Sequence, residues 1–323
     1  MRAILFEGPR RIRLIDDVAT PEIGEGEVLV RCTHVALCGS STVPYTGEGR
    51  WSRTEWPAPP GWMGHENLGE IAESRCDDWA AGTRVLAHPR DRTGFSEYFV
   101  SRGEWLERLP SDAPDPGVFV VAQPLATVLR ALARIDSVAG QTCAIVGQGP
   151  MGLIFTHMLS RAGAARVIGV DLVPWRLDWS RRLGATDVID ASQQDTVEAV
   201  RDLTGGEMVD FCVEAAGTRE AVIASALLPR RRGRLCVFGV PHHDSQEFPW
   251  LHVTAAELDI FTSRGTVEAT EYFGTAIDMV AGENAVLAEI VTPFLPWERA
   301  AEAFEMYTHP AEHEGTLKLT LVL

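Results

Sequence analysis

The sequence predicts an α/β fold in which a doubly wound parallel sheet is inserted into a mostly β domain. Three observations lead to this prediction. Residues 142–171 combine a strand, a glycine turn, a helix, a second strand and an acid. From there to residue 263, short apolar strands alternate with helices, a pattern typical of parallel sheets. Residues 1–110 show strand patterns instead, and residues 316–323 resume them near the far end of the chain.

The β-rich part begins with a strand, a turn and a strand in MRAILFEGPRRIRL. Alternating or apolar runs predict further strands at Glu27–His34, Gly82–Ala87 and Phe95–Val100. Residues 39–62 are rich in proline and glycine and are expected to form a long loop. Loops of this length in compact domains are usually functional.

The inserted part is introduced by a predicted helix at 116–133. Its strands are predicted at 142–146, 166–170, 188–189, 208–213, 234–240 and 258–263, and its helices at 153–162, 176–183, 196–204 and 219–228. Further helices are predicted at 267–281 and 300–307. The predicted domains are therefore residues 1–126 together with 266–323, and residues 127–265.

The glycine turn has the pattern G-x-G-x-x-G, formed by Gly147, Gly149 and Gly152 with Pro150 and Met151 between the last two. Such glycines allow a tight turn, a close approach of the backbone to a pyrophosphate, and close packing of helix on strand. Asp171 ends the second strand, where a carboxylate binds ribose hydroxyls and repels a 2′-phosphate. The segment therefore predicts a Rossmann-type dinucleotide site that prefers NAD to NADP. The alternative is a tight turn in an α/β domain that binds no nucleotide.

Composition narrows the class of protein. The chain has 323 residues, 46% hydrophobic and 23% charged, with a net charge of −16. This charge disfavours nucleic acid and anionic membranes as partners. No stretch resembles a signal peptide or approaches the roughly 18 apolar residues of a membrane helix. The six cysteines are scattered without a C-x-x-C pair, as in a cytoplasmic protein with reduced thiols.

A second set of residues suggests a metal site. Cys38 occurs in Leu-Cys-Gly-Ser, and His65 and Glu66 occur in Met-Gly-His-Glu. A thiolate, an imidazole and a carboxylate are ligands that zinc accepts, with one position left open in catalytic sites. Each residue also has a simpler interpretation, as a buried thiol or a hydrogen-bonded loop histidine.

The whole chain resembles the zinc-dependent medium-chain alcohol/polyol dehydrogenases, in particular the sorbitol, threonine and glucose dehydrogenase branch. The resemblance implies a GroES-like catalytic domain around the Rossmann domain. It is carried by segments in the order of the family: Cys38–Ser40, Gly64–Glu66, Gly82–Val85, Gly94–Tyr98, Gly147–Gly152, Val170–Asp171 and Arg182–Asp187.

The resemblance implies how the metal is held. Cys38 and His65 match the first two zinc ligands, and Glu66 matches a residue that binds zinc directly or through water. Gln123 stands where the family usually has a glutamate ligand, so it is either a weaker ligand or the sign of a decayed site. Residues 86–93 replace a cysteine-rich lobe and contain no cysteine. One catalytic zinc per chain and no structural zinc are therefore expected.

The resemblance also assigns positions of the proton relay and of the cofactor site. Ser40 matches the hydroxyl that relays the substrate proton, whereas Val43 stands where the family often has a histidine, so the next step must use water, Tyr45 or the cofactor ribose. The positions expected to contact the cofactor are Thr127, Arg176, Phe238, Val240 and Lys318. The resemblance does not assign the substrate contacts; Trp51, Trp62 and His88 are nominated from their positions at and after the long loop, as are Trp56 and Glu97, and each could equally serve core or loop packing.

The predicted function is hydride transfer between NAD and a sugar, polyol or other secondary alcohol, by a cytoplasmic homodimer or homotetramer. Two alternatives differ in class. A zinc-free reductase of the same superfamily would act on an activated double bond, but it would lack the Cys38, His65 and Glu66 cluster. A nucleotide-binding relative without turnover would be consistent with Val43 and Gln123.

Overall fold

The computed structural model describes residues 1–47, 55–113, 115–241, 245–263, 265 and 267–323. The chain forms two compact units, one of Met1–Leu129 with Gly265–Leu323 and one of Arg130–Arg264. The first boundary lies three residues after the predicted one, and the second boundary lies one residue before the predicted one. The second unit is thus inserted into the first, and the predicted fold class is confirmed.

The strands are β1 (Ala3–Gly8), β2 (Arg11–Ile15), β3 (Glu27–Ala36), β4 (Asn67–Ser74), β5 (Arg84–Ala87), β6 (Tyr98–Arg102), β7 (Leu106–Arg108), β8 (Thr142–Val146), β9 (Arg166–Asp171), β10 (Asp187–Asp190), β11 (Val209–Glu214), β12 (Pro229–Val237), β13 (Asp259–Thr262), β14 (Phe294–Pro296) and β15 (Thr320–Val322). The helices are α1 (Gly39–Thr46), α2 (Ala122–Leu132), α3 (Pro150–Arg161), α4 (Pro174–Arg182), α5 (Thr196–Leu203), α6 (Arg219–Leu227), α7 (Trp250–Ala255), α8 (Phe273–Ala281) and α9 (Ala300–Thr308).

The first unit is built on a sheet with the order β14-β15-β3-β4-β5-β7, with β6 also paired to β3. All neighbours are antiparallel except β14 and β15. Strand β3 buries Val28, Val30 and Cys32. The rings of Phe6 and Phe304 pack edge to face in the same core, with centroids 5.4 Å apart. The sheet and this core support the segment after β3 and the segment before β4, which carry the predicted metal-site residues.

The second unit is a six-stranded sheet with the order β10-β9-β8-β11-β12-β13. Every neighbouring pair is parallel. The strand order reverses between β8 and β11, and ligands of doubly wound sheets bind at the carboxyl ends of the strands at such a point. The glycine turn follows β8 directly, so it lies at this reversal.

Several predicted elements differ from the structure. The predicted loop at 39–62 contains α1 despite Pro44, because Val43, Pro44 and Tyr45 are buried and their packing outweighs the low helical propensity of proline. The helices predicted from 116 and from 267 both begin as 3₁₀ turns, over Pro116–Val121 and Val267–Tyr272.

Two predicted strands also differ. The strand predicted at 234–240 lies at 229–237 and therefore also includes Arg230–Arg232. These three arginines are exposed and form ion pairs with Asp210 and Glu257. A run of charged residues is therefore compatible with this exposed part of the strand. The closing strand is shorter than predicted, at Thr320–Val322. Within the described ranges, no helix is both long enough and apolar enough to cross a bilayer.

Candidate active site

The first unit brings three predicted metal ligands together. Cys38 is the residue before α1, and His65 and Glu66 come just before β4. The Cys38 Sγ, a ring nitrogen of His65 and a carboxylate oxygen of Glu66 lie within 4.8 Å of one another. This is the single group of three such ligands found in the described part of the chain. A soft thiolate with nitrogen and oxygen donors suits zinc, so the residues present fit the predicted ion.

Backbone geometry orients the His65 ring. Its Nδ1 lies 2.7 Å from the carbonyl oxygen of Met63, so Nδ1 donates and Nε2 is left for a metal. The Met63 carbonyl also accepts a hydrogen bond from the Ser41 hydroxyl at 3.2 Å. Met63 has a φ of 73°, which is rare for a residue with a side chain and indicates local strain. Burial lowers the pKa of His65 and favours the neutral ring that binds metals.

Lys318 pairs with Glu66 in the same buried region. Its Nζ lies 2.8 Å from the Glu66 Oε2 and donates to the Leu37 carbonyl at 3.1 Å. Both side chains are 1% exposed. Burial raises the pKa of Glu66 to about 7 against the opposing effect of Lys318. Burial is the largest single effect and would lower the pKa of Lys318, but Glu66, Tyr307 and Cys38 together outweigh it, so the pKa is raised.

The observed partner of Lys318 is thus Glu66, and the cofactor contact predicted for Lys318 stays a prediction. Gln123 is buried in the first turn of α2. Its main-chain carbonyl accepts a hydrogen bond from the Thr127 hydroxyl at 3.2 Å. The roles of Gln123 as a zinc ligand and of Thr127 at the cofactor also stay predictions.

The relay residues are placed as follows. The Ser40 Oγ lies 3.3 Å from the His65 Nε2, beside the nitrogen left for the metal. Val43 is buried in α1. The Tyr45 hydroxyl lies 2.6 Å from the Glu305 Oε1 and donates to it, which disfavours Tyr45 as the next relay step.

The nominated substrate residues have varied surroundings. Trp51 lies outside the described residues. Trp62 packs edge to face on Phe6 and Trp56, at 5.9 Å and 6.2 Å between ring centroids, so its observed role is packing. His88 is buried against Trp105, and neither ring nitrogen has a hydrogen-bond partner among the described residues. Burial lowers the pKa of His88 to about 4. Glu97 accepts a hydrogen bond from the Arg2 backbone at 3.0 Å.

The second unit carries the predicted dinucleotide turn. Gly147 has a φ of 95°, a conformation that favours glycine. A Cβ at Gly152 would lie 1.7 Å from the Gly147 carbonyl oxygen, so only glycine allows α3 to pack this closely. Gly149 precedes α3, whose first residues are Pro150 and Met151. The free N–H groups and positive dipole end of such a helix attract a phosphate.

Asp171 is held in a fixed orientation at the end of β9. Its Oδ2 accepts a hydrogen bond from the Gln148 backbone at 2.6 Å, and its Oδ1 accepts one from the Val173 backbone at 2.9 Å. The Arg176 Nη1 lies 4.0 Å from Oδ2. The glycine turn and the acid are therefore directly connected, in the arrangement expected for a ribose site.

Sequence reasoning missed Glu214, which is buried at the end of β11 and accepts hydrogen bonds from the Ala216 and Gly217 backbones at 2.8 Å and 2.6 Å. The signal was present as an acid that ends the apolar run Phe-Cys-Val-Glu.

Phe238 packs on Phe155 of α3, with ring centroids 4.9 Å apart. The cofactor contacts predicted for Phe238 and Val240 stay predictions.

Comparison with known proteins agrees with the family resemblance found in the sequence. The family model described as "Alcohol dehydrogenase GroES-like domain" matches residues 24–111, and that described as "Zinc-binding dehydrogenase" matches residues 150–282. A sorbitol dehydrogenase of Bacillus subtilis is 27% identical, over 94% of this chain and 93% of its own length. An erythritol/L-threitol dehydrogenase of Mycolicibacterium smegmatis is 29% identical, over 100% and 97%.

Among solved structures, the alcohol dehydrogenase TADH from Thermus sp. ATN1 has the same fold, with a TM-score of 0.86, 24% identity and full coverage of both chains. The first family model lies within the first unit, the second covers most of the second unit and continues to residue 282, and the two relatives align over nearly the full chain. The chain belongs to the zinc-dependent medium-chain alcohol/polyol dehydrogenase family.

Proposed function

We propose that this protein transfers a hydride between a secondary alcohol, such as a polyol or sugar, and NAD, with one catalytic zinc per chain. The observation that carries the proposal is the cluster of Cys38, His65 and Glu66 within 4.8 Å. The alternative of a zinc-free reductase is not favoured, because such an enzyme has no use for this cluster. The names of the two relatives support polyols as the substrate class.

Each residue of the site has a proposed role in the reaction. When bound, zinc supplies a Lewis acid that favours loss of the alcohol proton, and NAD supplies the hydride acceptor. Cys38, His65 and Gln123 would hold the metal, with Glu66 binding directly or through water. Ser40 accepts the hydroxyl proton and passes it to water. The carbon–hydrogen bond then breaks, its electron pair leaves with the hydride, and the alcohol becomes a ketone.

Preference for NAD rests on Asp171. A carboxylate with both oxygens oriented by backbone donors is suited to accept hydrogen bonds from the ribose hydroxyls. The same negative charge opposes a 2′-phosphate. The predicted lack of a structural zinc, the assembly as a homodimer or homotetramer and the cytoplasmic location stay predictions.

The test combines metal content with turnover. The purified protein is expected to hold close to one zinc per chain and to reduce NAD with members of a panel of C4–C6 polyols. Cys38→Ser should lose both zinc and activity. Cys76→Ser is the matched control, because Cys76 is also a partly exposed free cysteine but lies outside the cluster.

Zinc near zero in the wild-type chain, not restored by added zinc, would contradict the mechanism. NAD binding without turnover on the panel would favour the non-catalytic alternative. Equal zinc loss in both cysteine variants would show that the metal is bound elsewhere.

A further inference from the structure

Glu214 connects two loops at the carboxyl edge of the parallel sheet. Its Oε1 accepts hydrogen bonds from the backbones of Ala216 and Gly217, in the loop after β11. Its own carbonyl oxygen accepts hydrogen bonds from the backbones of Phe238 and Gly239, at 2.9 Å each, in the loop after β12. The carboxylate of this residue therefore holds the loop after β11, and its main-chain carbonyl holds the loop after the neighbouring strand β12.

The second carboxylate oxygen lies where the two loops meet. Oε2 of Glu214 is buried and has no hydrogen-bond partner among the described residues. A Cβ at Gly239 would lie 2.6 Å from this oxygen and 2.4 Å from the Gly217 nitrogen. The loops therefore approach so closely that only glycine fits at position 239.

Both loops also border the dinucleotide turn. A Cβ at Gly147 would lie 2.9 Å from the Cβ of Ala216, and the Ala215 N–H donates to the carbonyl of Val146 at 2.9 Å. On the other side, Phe238 packs on Phe155, which belongs to the helix that begins at the turn. A change at Glu214 would thus be transmitted to residues that surround the turn.

We propose that Glu214 is a positioning residue of the cofactor site, which holds residues 215–217 and 238–240 in the conformation that accepts the nicotinamide half of NAD. The proposal rests on the proposed function, because it requires NAD to be the cofactor. Glu214 acts through the two loops, whereas the adenosine half is assigned to Asp171 and Arg176. Loss of Glu214 should therefore affect the two halves of the cofactor unequally.

The experiment measures binding of NAD and of 5′-AMP to the zinc-loaded protein by titration calorimetry, together with zinc content. Glu214→Leu removes both acceptor oxygens, and Glu214→Asp withdraws the carboxylate by one methylene. Glu214→Gln keeps an oxygen for the two N–H donors. Glu220→Gln, on an exposed residue of α6, is the matched control.

We expect Glu214→Leu and Glu214→Asp to weaken NAD binding at least tenfold while 5′-AMP binding changes less than threefold and zinc content is unchanged. Glu214→Gln should retain affinity for NAD within about threefold. Wild-type affinity for NAD in the Asp variant would overturn the proposal, as would a parallel loss of 5′-AMP binding. If the Leu variant does not fold, the Asp variant decides alone. A wild-type protein that binds no NAD would instead overturn the proposed function, and this proposal with it.

Discussion

The Nζ of Lys318 lies 2.8 Å from the Oε2 of Glu66 and 3.1 Å from the carbonyl oxygen of Leu37. Leu37 precedes the proposed ligand Cys38, and Glu66 follows the proposed ligand His65. One ammonium group therefore connects both segments that carry the proposed metal ligands. Lys318 is also the only lysine in the chain, which has 28 arginines.

Replacing Lys318 with methionine should destabilise the metal-free protein. It leaves the Glu66 carboxylate buried without its partner, which typically costs about 3–5 kcal/mol. The free energy of unfolding, measured with urea in the presence of a chelator, should fall by this amount. The double variant Lys318→Met/Glu66→Gln should recover most of the loss. Losses that simply add would show that the two side chains are not coupled.

Alkylation should distinguish Cys38 from the other thiols. Burial raises the pKa of Cys32, Cys143 and Cys236 to about 12, so these thiols should react little at neutral pH. Cys38 and Cys76 are partly exposed. Mass spectrometry after iodoacetamide treatment should find both labelled in metal-free protein, whereas added zinc should protect Cys38 alone. Protection of Cys76 as well would argue against a site at Cys38.

Changing Gln123 to glutamate should strengthen zinc binding. The variant supplies a charged oxygen in place of a neutral one, and we expect at least about tenfold higher affinity, equal to about 1.4 kcal/mol. Competition with a chromogenic chelator measures this affinity. Gln193→Glu adds the same charge at an exposed position in the second unit and should have no effect. Unchanged affinity in Gln123→Glu would exclude Gln123 from the metal.

Replacing Asp171 with alanine should shift the cofactor preference toward NADP. The change removes a negative charge that opposes a 2′-phosphate and leaves Arg176 nearby, so the ratio of kcat/KM for NAD to that for NADP should fall at least about tenfold. Asp190→Ala is the matched control, because Asp190 is paired in register with Asp171 on the neighbouring strand. An unchanged ratio would mean that Asp171 does not face the adenosine ribose.

The stability of the protein should depend on the titration of Glu214. Burial raises the pKa of Glu214, against the N–H groups of Gly217 and Ala216. The folded state therefore retains the proton to a higher pH than the unfolded state, whose glutamate pKa is about 4.3. The contribution of Glu214 to the free energy of unfolding should fall as the pH rises from about 4.3 to the raised value.

Glu214→Gln cannot titrate, so its free energy of unfolding relative to wild type should improve over the same interval. Urea unfolding of both proteins at pH 4.5 and pH 7 gives this difference. A difference that stays constant with pH would show that the pKa of Glu214 is equal in the two states.

The fold of the second unit could be predicted closely because its signals are local. Strand β8 has the predicted bounds, and the glycine turn, helix and acid follow from residues within one short segment. The grouping of Cys38, His65 and Glu66 was also predicted, since they occur in recognisable short motifs, whereas their binding of a metal stays a prediction.

Other features depend on contacts that a sequence does not display. Lys318 and Glu66 are 252 residues apart, so nothing near either residue indicates their pairing. Helix α1 was missed because Pro44 disfavours a helix locally, whereas burial of Pro44 and Tyr45 stabilises it. In the sequence, Glu214 is no different from any other acid at the end of a strand. Only the structure shows that the loops after β11 and β12 meet at its carboxylate.

Because Lys318 is buried, proteolytic cleavage at this residue can be used to measure opening of the first unit. A protease that cleaves only after lysine has a single target bond in these 323 residues, between Lys318 and Leu319, and both residues are buried. Cleavage must wait until the first unit exposes this segment. The rate at which the intact chain disappears would therefore measure how often that unit opens, and zinc should slow the rate if it stabilises the cluster beside Lys318.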